Sequence, residues 1–234
     1  MKACKNGQTK VVQLLLEYCN SEESGLNTRD KYGWTPFMWA CLYGHKEVVQ
    51  LLLDTTEMNI DLNARNQLGQ TAFMYACRNG HQDVVQLFLD NSEGNIDLIA
   101  RDNDGWTPFM TACFCGHTIV VQTLLDHSDG HIELNAEDYD FGRTAFMWAC
   151  YFGQKGVVQL LLNHPAAQSI DFDAEDDCGN TGLMIAQQRN HRDIAKLLVG
   201  KSGSGAQIQT KRRKRRGLAR FLEDVLLSIT RSII

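Results

Sequence analysis

Four histidines, His45, His81, His117 and His191, and four cysteines, Cys41, Cys77, Cys113 and Cys150, are the side chains of this sequence best suited to proton transfer, nucleophilic attack or metal ligation. Their placement argues for another role. Within each set every member stands in the same phrase of a repeating sequence, so a repeated structural environment accounts for it. Cys113 and Cys115 form a C-x-C pair, but no second ligand pair follows at zinc-finger spacing. The chain has no G-x-x-x-x-G-K-[ST] phosphate loop, no G-x-S-x-G elbow and no H-E-x-x-H. Its many carboxylates are expected on loop tips in water, without the burial that would tune an acid–base pair. The expectation is a protein that is not an enzyme and carries no metal and no cofactor.

The elements that position these residues follow from a period. Gly33, Gly69, Gly105, Gly142 and Gly179 recur at intervals of 36, 36, 37 and 37 residues. They open or sit in the phrases DKYGWTPFMWACLYGH, NQLGQTAFMYACRNGH, DNDGWTPFMTACFCGH, DFGRTAFMWACYFGQ and DDCGNTGLMIAQQRNH. Such self-similarity predicts a stacked solenoid, each unit burying its apolar face only against its neighbours. In one unit Gly33 supplies a tight turn, Thr35 caps a helix, Pro36 stands where a missing N–H costs nothing, and Gly44 ends the helix. A second helix runs through HKEVVQLLLD, with Val48, Val49, Leu51, Leu52 and Leu53 wedged between layers. NIDLNAR then returns the chain as an extended finger. Helices should dominate, with no continuous sheet.

These phrases resemble the ankyrin repeat, whose pattern is a turn, then T-P-L-H-x-A-A-x-x-G-H, then V-V-x-L-L-L. The resemblance covers residues 1–199 and implies an all-α solenoid of about six units. Met38, Met74, Met110, Met147 and Met184 stand where the family usually has His, replacing an inter-repeat hydrogen bond by adaptable packing. KACKNGQTKVVQLLLEY aligns with the middle of a unit, which favours a truncated first unit over a worn cap and leaves Val11, Val12, Leu14 and Leu15 without a full cover. The last unit is polar, as a cap should be.

For function, the resemblance implies a non-catalytic scaffold for protein–protein interaction, its concave face made of finger tips and outward slots of the first helices. Carried over by slot, the partner-binding residues are Tyr32, Trp34, Leu42 and Tyr43 in the second unit and Arg78 in the third. The fourth supplies Trp106 and Phe114. The fifth supplies Tyr139, Asp140, Arg143, Tyr151 and Phe152, and the sixth Asp176 and Asp177. Large aromatics in outward slots mark an interaction surface. Trp39, Tyr75 and Trp148 share an inner slot assigned to contacts between repeats. Acids gather toward the C-terminal fingers, so the groove is acidic as well as aromatic.

Charge separates the chain in two. Apolar residues are 44% and charged residues 22%, an ordinary globular balance. The net charge of −5 divides into +7 over residues 201–234 and −12 over residues 1–200. An acidic body is a poor match for phosphate backbones, so nucleic-acid binding by it is not expected. Eight cysteines in a chain opening on MKACKNGQTK, which lacks an apolar signal core, point to free thiols and a cytoplasmic or nuclear setting. No apolar run approaches the roughly 20 residues of a membrane span.

Residues 200–210 have Gly/Ser linker composition, and residues 211–234 form a basic amphipathic segment. Lys211, Arg212, Arg213, Lys214, Arg215 and Arg216 are followed by Leu218, Phe221, Leu222 and Val225 along one helical face. Four readings stay open: a groove ligand, native or joined on; a nuclear-import signal; an anchor on an anionic membrane; and a segment without a role. The partner expected for the groove is a basic, partly helical protein or peptide, of which this segment is one instance.

Overall fold

The computed structural model describes residues 1–18, 25–55, 60–91, 96–127 and 132–201. The expected basic segment 211–234 lies outside the described residues, as does the expected linker 200–210 apart from residues 200 and 201, which belong to a helix instead. Among the described residues twelve α-helices alternate between two rows. The inner row holds α1 (Lys2–Lys5), α3 (Pro36–Leu42), α5 (Ala72–Asn79), α7 (Pro108–Cys115), α9 (Ala145–Phe152) and α11 (Gly182–Gln188). The outer row holds α2 (Thr9–Tyr18), α4 (Lys46–Asp54), α6 (Gln82–Asp90), α8 (Thr118–Asp126), α10 (Lys155–Asn163) and α12 (Arg192–Lys201). Consecutive members of each row are in contact, and each inner helix meets the outer helix that follows it. Residues 1–201 are one compact unit, and its buried residues lie along the two rows of helices and the turns between them. Among the described residues the only β pairing is an isolated bridge between Glu137 and Thr144.

Local chemistry sets the helix starts. Thr35, Thr71, Thr107, Thr144 and Thr181 are N-caps in extended conformation, and their hydroxyls accept from the backbone N–H three residues on, at 3.2 Å for Met38 and 3.3 Å for Met74. Pro36 and Pro108 occupy the first turn, where no donor is lost. The side chains of Met38, Met74, Met110 and Met147 fill the core, with Phe37, Phe73, Phe88 and Phe146.

A second periodic contact joins the units. His45, His81, His117 and His191 each place Nε2 against a carbonyl of the preceding unit: Lys5 at 2.9 Å, Leu42 at 2.9 Å, Arg78 at 2.8 Å and Tyr151 at 3.0 Å. A carbonyl only accepts, so these Nε2 atoms carry the proton and donate. Gln154 takes the histidine's place in the fifth unit, donating Nε2–H to Phe114 O at 2.8 Å. The ring lies so close to the preceding turn that a Cβ on Gly80, at φ 74°, would stand 2.6 Å from His117 Nδ1. Glycine is therefore required there for its left-handed backbone and for the histidine's approach.

Two expectations need correction. Val48, Val49 and Leu52 are buried between layers, whereas Leu51 and Leu53 are only half-buried, because a nine-residue helix turns two of five apolar positions toward its edges. Of the four first-unit residues expected to lack full cover only Val12 is buried; Leu14 is 53% exposed, and so are Val11 at 43% and Leu15 at 50%. The buried Val48 and Leu52 are the counterparts of Val11 and Leu15 one unit later.

Candidate interaction surface

Each finger is folded by one side chain. Asp30, Asn66, Asp102, Asp138 and Asp176 occupy one slot and accept backbone N–H groups two to five residues on: for Asp102, Asp104 N at 3.1 Å and Trp106 N at 2.9 Å. Short polar side chains suit such turns because they bond their own backbone. The finger tips are then laced together by Gln67 N to Tyr32 O at 3.1 Å, Asn103 N to Leu68 O at 3.0 Å, Tyr139 N to Asp104 O at 2.9 Å and Asp177 N to Phe141 O at 2.9 Å. Arg29, Arg65 and Arg101 add a rung each, donating to the carbonyl 36 residues on and pairing with Asp61, Asp97 and Glu133.

The carboxylates that build these turns are not the exposed acids expected from the sequence. Asp102, Asp138 and Asp176 are buried, because a side chain that folds the turn must point into it. Burial pushes the carboxyls of Asp102 and Asp138 above their ordinary value, with hydrogen bonds from the Trp106 and Phe141 backbones opposing. The second oxygen of each carboxylate is also used. Asp102 accepts from Gln70 Nε2 at 3.2 Å, Asp138 from Trp148 Nε1 at 2.8 Å, and Asp176 from Arg143 Nε at 3.1 Å.

Five residues assigned to the partner thus turn inward. Trp34 is roofed by Trp39 and Tyr75, with ring centres 4.6 and 4.2 Å away. Leu42 is buried in the inner row. Arg143, Tyr151 and Asp176 form one internal cluster, with Tyr151 only 4% exposed and its hydroxyl buried without a hydrogen-bond partner. A slot that faces outward in a single unit is covered when the next unit supplies a large or charged neighbour.

The remaining residues form the surface. Tyr139 is 63% and Tyr32 54% exposed, and Tyr43, Asp140 and Asp177 are also exposed. Trp106, Phe114, Phe152 and Arg78 are half-buried. Phe114 lies edge-on to Trp106 at 5.1 Å and packs on Phe152 at 4.3 Å, so units four and five share one aromatic floor. Trp39, expected only between repeats, is half-buried with the Lys5 amine 4.2 Å over its ring. Phe141, edge-on to Trp148 at 5.8 Å, is a further ring at the finger tips, outside the slots carried over from the resemblance. The lengthening of the glycine interval from 36 to 37 residues was its signal.

Formal charge falls steadily along the fingers. Residues 25–34, 61–70, 97–106, 133–143 and 171–180 carry +1, 0, −2, −3 and −5. The last holds Asp171, Asp173, Glu175, Asp176 and Asp177 and no cation.

Other chemistry is muted. Cys41, Cys77, Cys113 and Cys150 are buried, and burial pushes their thiols up, away from the reactive thiolate. Among the described residues no three of His, Cys, Asp and Glu are grouped to hold a metal ion, and no helix is long and apolar enough to cross a membrane. No curated protein matches the chain. The family model for ankyrin repeats in three copies matches over residues 1–66, 55–138 and 131–212. Ankyrin repeats generally mediate protein–protein interaction and are generally non-catalytic. With threonine-capped helix pairs, laced fingers and this match over nearly its whole length, the chain belongs to the ankyrin-repeat family.

Proposed function

We propose that this chain is a non-catalytic scaffold whose concave face binds a basic, partly apolar peptide or helix. The observation that supports this most is the charge gradient of the fingers, which runs beside the aromatic floor of units four and five. A segment with cations at one end and an apolar stripe at the other matches both features at once. Tyr32, Tyr43, Arg78, Trp106, Phe114, Tyr139, Asp140, Phe152 and Asp177 are its contact residues. Trp34, Leu42, Arg143, Tyr151 and Asp176 shape the surface from beneath.

The chain's own residues 211–234 have the required chemistry, from Lys211 to Arg216 and then Leu218, Phe221, Leu222 and Val225. A synthetic peptide of residues 210–234 is therefore the probe, titrated onto residues 1–201. Binding should weaken steeply as salt rises, since exposed charges are screened within about 8 Å at physiological ionic strength. Asp140→Lys with Asp177→Lys should slow association more than it speeds release. Absence of binding at low salt sinks this reading. The second reading, favoured by the run of six cations itself, makes the segment a nuclear-import signal or membrane anchor in a cytoplasmic or nuclear protein. Tail-dependent sedimentation with anionic vesicles, or tail-dependent nuclear accumulation, is the outcome that favours it.

A further inference from the structure

The fold already holds one guanidinium, and its surroundings show what this face offers to another. The Arg143 guanidinium lies 5.0 Å from the ring centre of Phe141, 4.9 Å from Trp148 and 4.8 Å from Tyr151. Its Nε donates to Asp176 Oδ2 at 3.1 Å. Ring faces supply negative potential, the carboxylate supplies the counter-charge, and the planar, weakly hydrated guanidinium tolerates burial where an ammonium does not.

A second ring cluster adjoins this one and shares Trp148 with it. Trp106 is 4.9 Å, Phe152 6.1 Å and Phe114 6.2 Å from the Trp148 ring centre. Trp106, Phe114 and Phe152 are half-buried, neither sealed in the core nor fully in water. Elsewhere the chain covers such rings with its own cations: Lys5 over Trp39, Lys31 over Tyr32 and Arg189 over Tyr151. Among the described residues no cation lies over Trp106, Phe114 or Phe152. The adjoining finger tips carry exposed acids, Asp104 two residues before Trp106 and Asp140 on the next finger, the two fingers joined by Tyr139 N to Asp104 O at 2.9 Å.

We infer that Trp106, Phe114 and Phe152, under the acidic tips of these two fingers, form a subsite for an arginine side chain of the partner, so that the groove selects arginine over lysine at equal charge. The inference rests on the basic-peptide reading above and adds the chemical identity of the cation. A partner arginine would stack on these rings and meet carboxylate at the rim, as Arg143 does inside the protein. A lysine ammonium, compact and strongly hydrated, gains less from the same rings.

The test compares two peptides on residues 1–201 by titration calorimetry. One is residues 210–234. The other carries Arg212→Lys, Arg213→Lys, Arg215→Lys, Arg216→Lys, Arg220→Lys and Arg231→Lys, with charge and apolar stripe unchanged. The lysine peptide should bind roughly five- to ten-fold more weakly. Phe114→Leu, and separately Phe152→Leu, keep apolar volume but remove a ring face. Each, at an unchanged melting temperature, should bring the arginine peptide down toward the lysine peptide and leave the lysine peptide where it was. Equal affinities of the two peptides for the parent overturn the arginine subsite and leave the groove reading standing. Selectivity that survives in both variants also overturns it, because arginine is then read elsewhere. If neither peptide binds, both readings fall together.

Discussion

The indole Nε1 of Trp148 donates to Oδ2 of Asp138 at 2.8 Å, joining the inner helix of the fifth unit to the turn of its own finger. The same slot in the third unit holds Asn66, which donates through Nδ2 to the Tyr75 hydroxyl Oη at 2.8 Å, a group able to accept. In these two units the finger-turn side chain is therefore matched to the hydrogen-bonding sense of its aromatic partner. An indole can only donate, and because Oδ1 of Asp138 already accepts Asp140 N and Phe141 N, a second accepting oxygen is needed, which a carboxylate has and an amide lacks.

That match predicts different costs for the same chemical change at two finger turns. Asp138→Asn would set an amide N–H against the indole N–H and should cost roughly 1 to 3 kcal/mol. Asp102→Asn faces the Gln70 amide, which can rotate to present its oxygen, and should cost under about 1 kcal/mol. Urea unfolding of the two variants measures the difference, and equal costs would contradict the assignment.

Acid adds a further check on Asp102. Its carboxyl is raised by burial in the folded chain, so its favourable contribution is fully present below the ordinary carboxyl value and is lost as pH rises through the raised one. The stability of Asp102→Asn relative to the parent should therefore improve as pH rises from about 3 to about 6. A relative stability that falls over this range would show that the carboxylate form is the one the fold favours.

Two tyrosines should respond oppositely to loss of the hydroxyl. Tyr75 accepts from Asn66 and donates to Gln70, so Tyr75→Phe should lose about 1 to 2 kcal/mol. Tyr151 has no partner for its buried hydroxyl, and Tyr151→Phe should be neutral or gain up to about 1 kcal/mol. Denaturation midpoints compared at a common slope read both effects.

The histidine ladder has its own control in Gln154. Because that glutamine makes the same bond between units, His117→Gln should keep most of the stability that His117→Ala loses, about 1 kcal/mol. Thermal melts of the pair decide it, and an equal loss in both would mean the imidazole ring rather than its N–H holds the units.

Thiol labelling separates core from surface. Cys178 is exposed and should react first in the native protein; Cys115, half-buried with its thiol raised by burial, should follow slowly. Cys41, Cys77, Cys113 and Cys150 should react only on unfolding. Native labelling of the last four at the rate of Cys178 would overturn their place in the core.

Helix starts, turns and the core thiols were legible in the sequence because each depends on residues within a turn or two. Thr35 caps the helix that Pro36 begins, and Gly33 makes the turn before it, whatever lies in the next unit. The exposure of the face formed by finger tips and inner helices was not legible by that route. Trp34 and Trp106 fill the same slot after the same glycine, yet Trp34 is buried beneath Trp39 and Tyr75 while Trp106 stays half-open. Arg143 turns inward because Asp176, 33 residues later, receives it and Tyr151 and Trp148 enclose it. A repeat determines its own backbone through local hydrogen bonds, but the cover of each outward side chain comes from a different neighbour about 36 residues away. Only the stacked structure brings those neighbours together, and so only it decides which residues of the face remain for a partner.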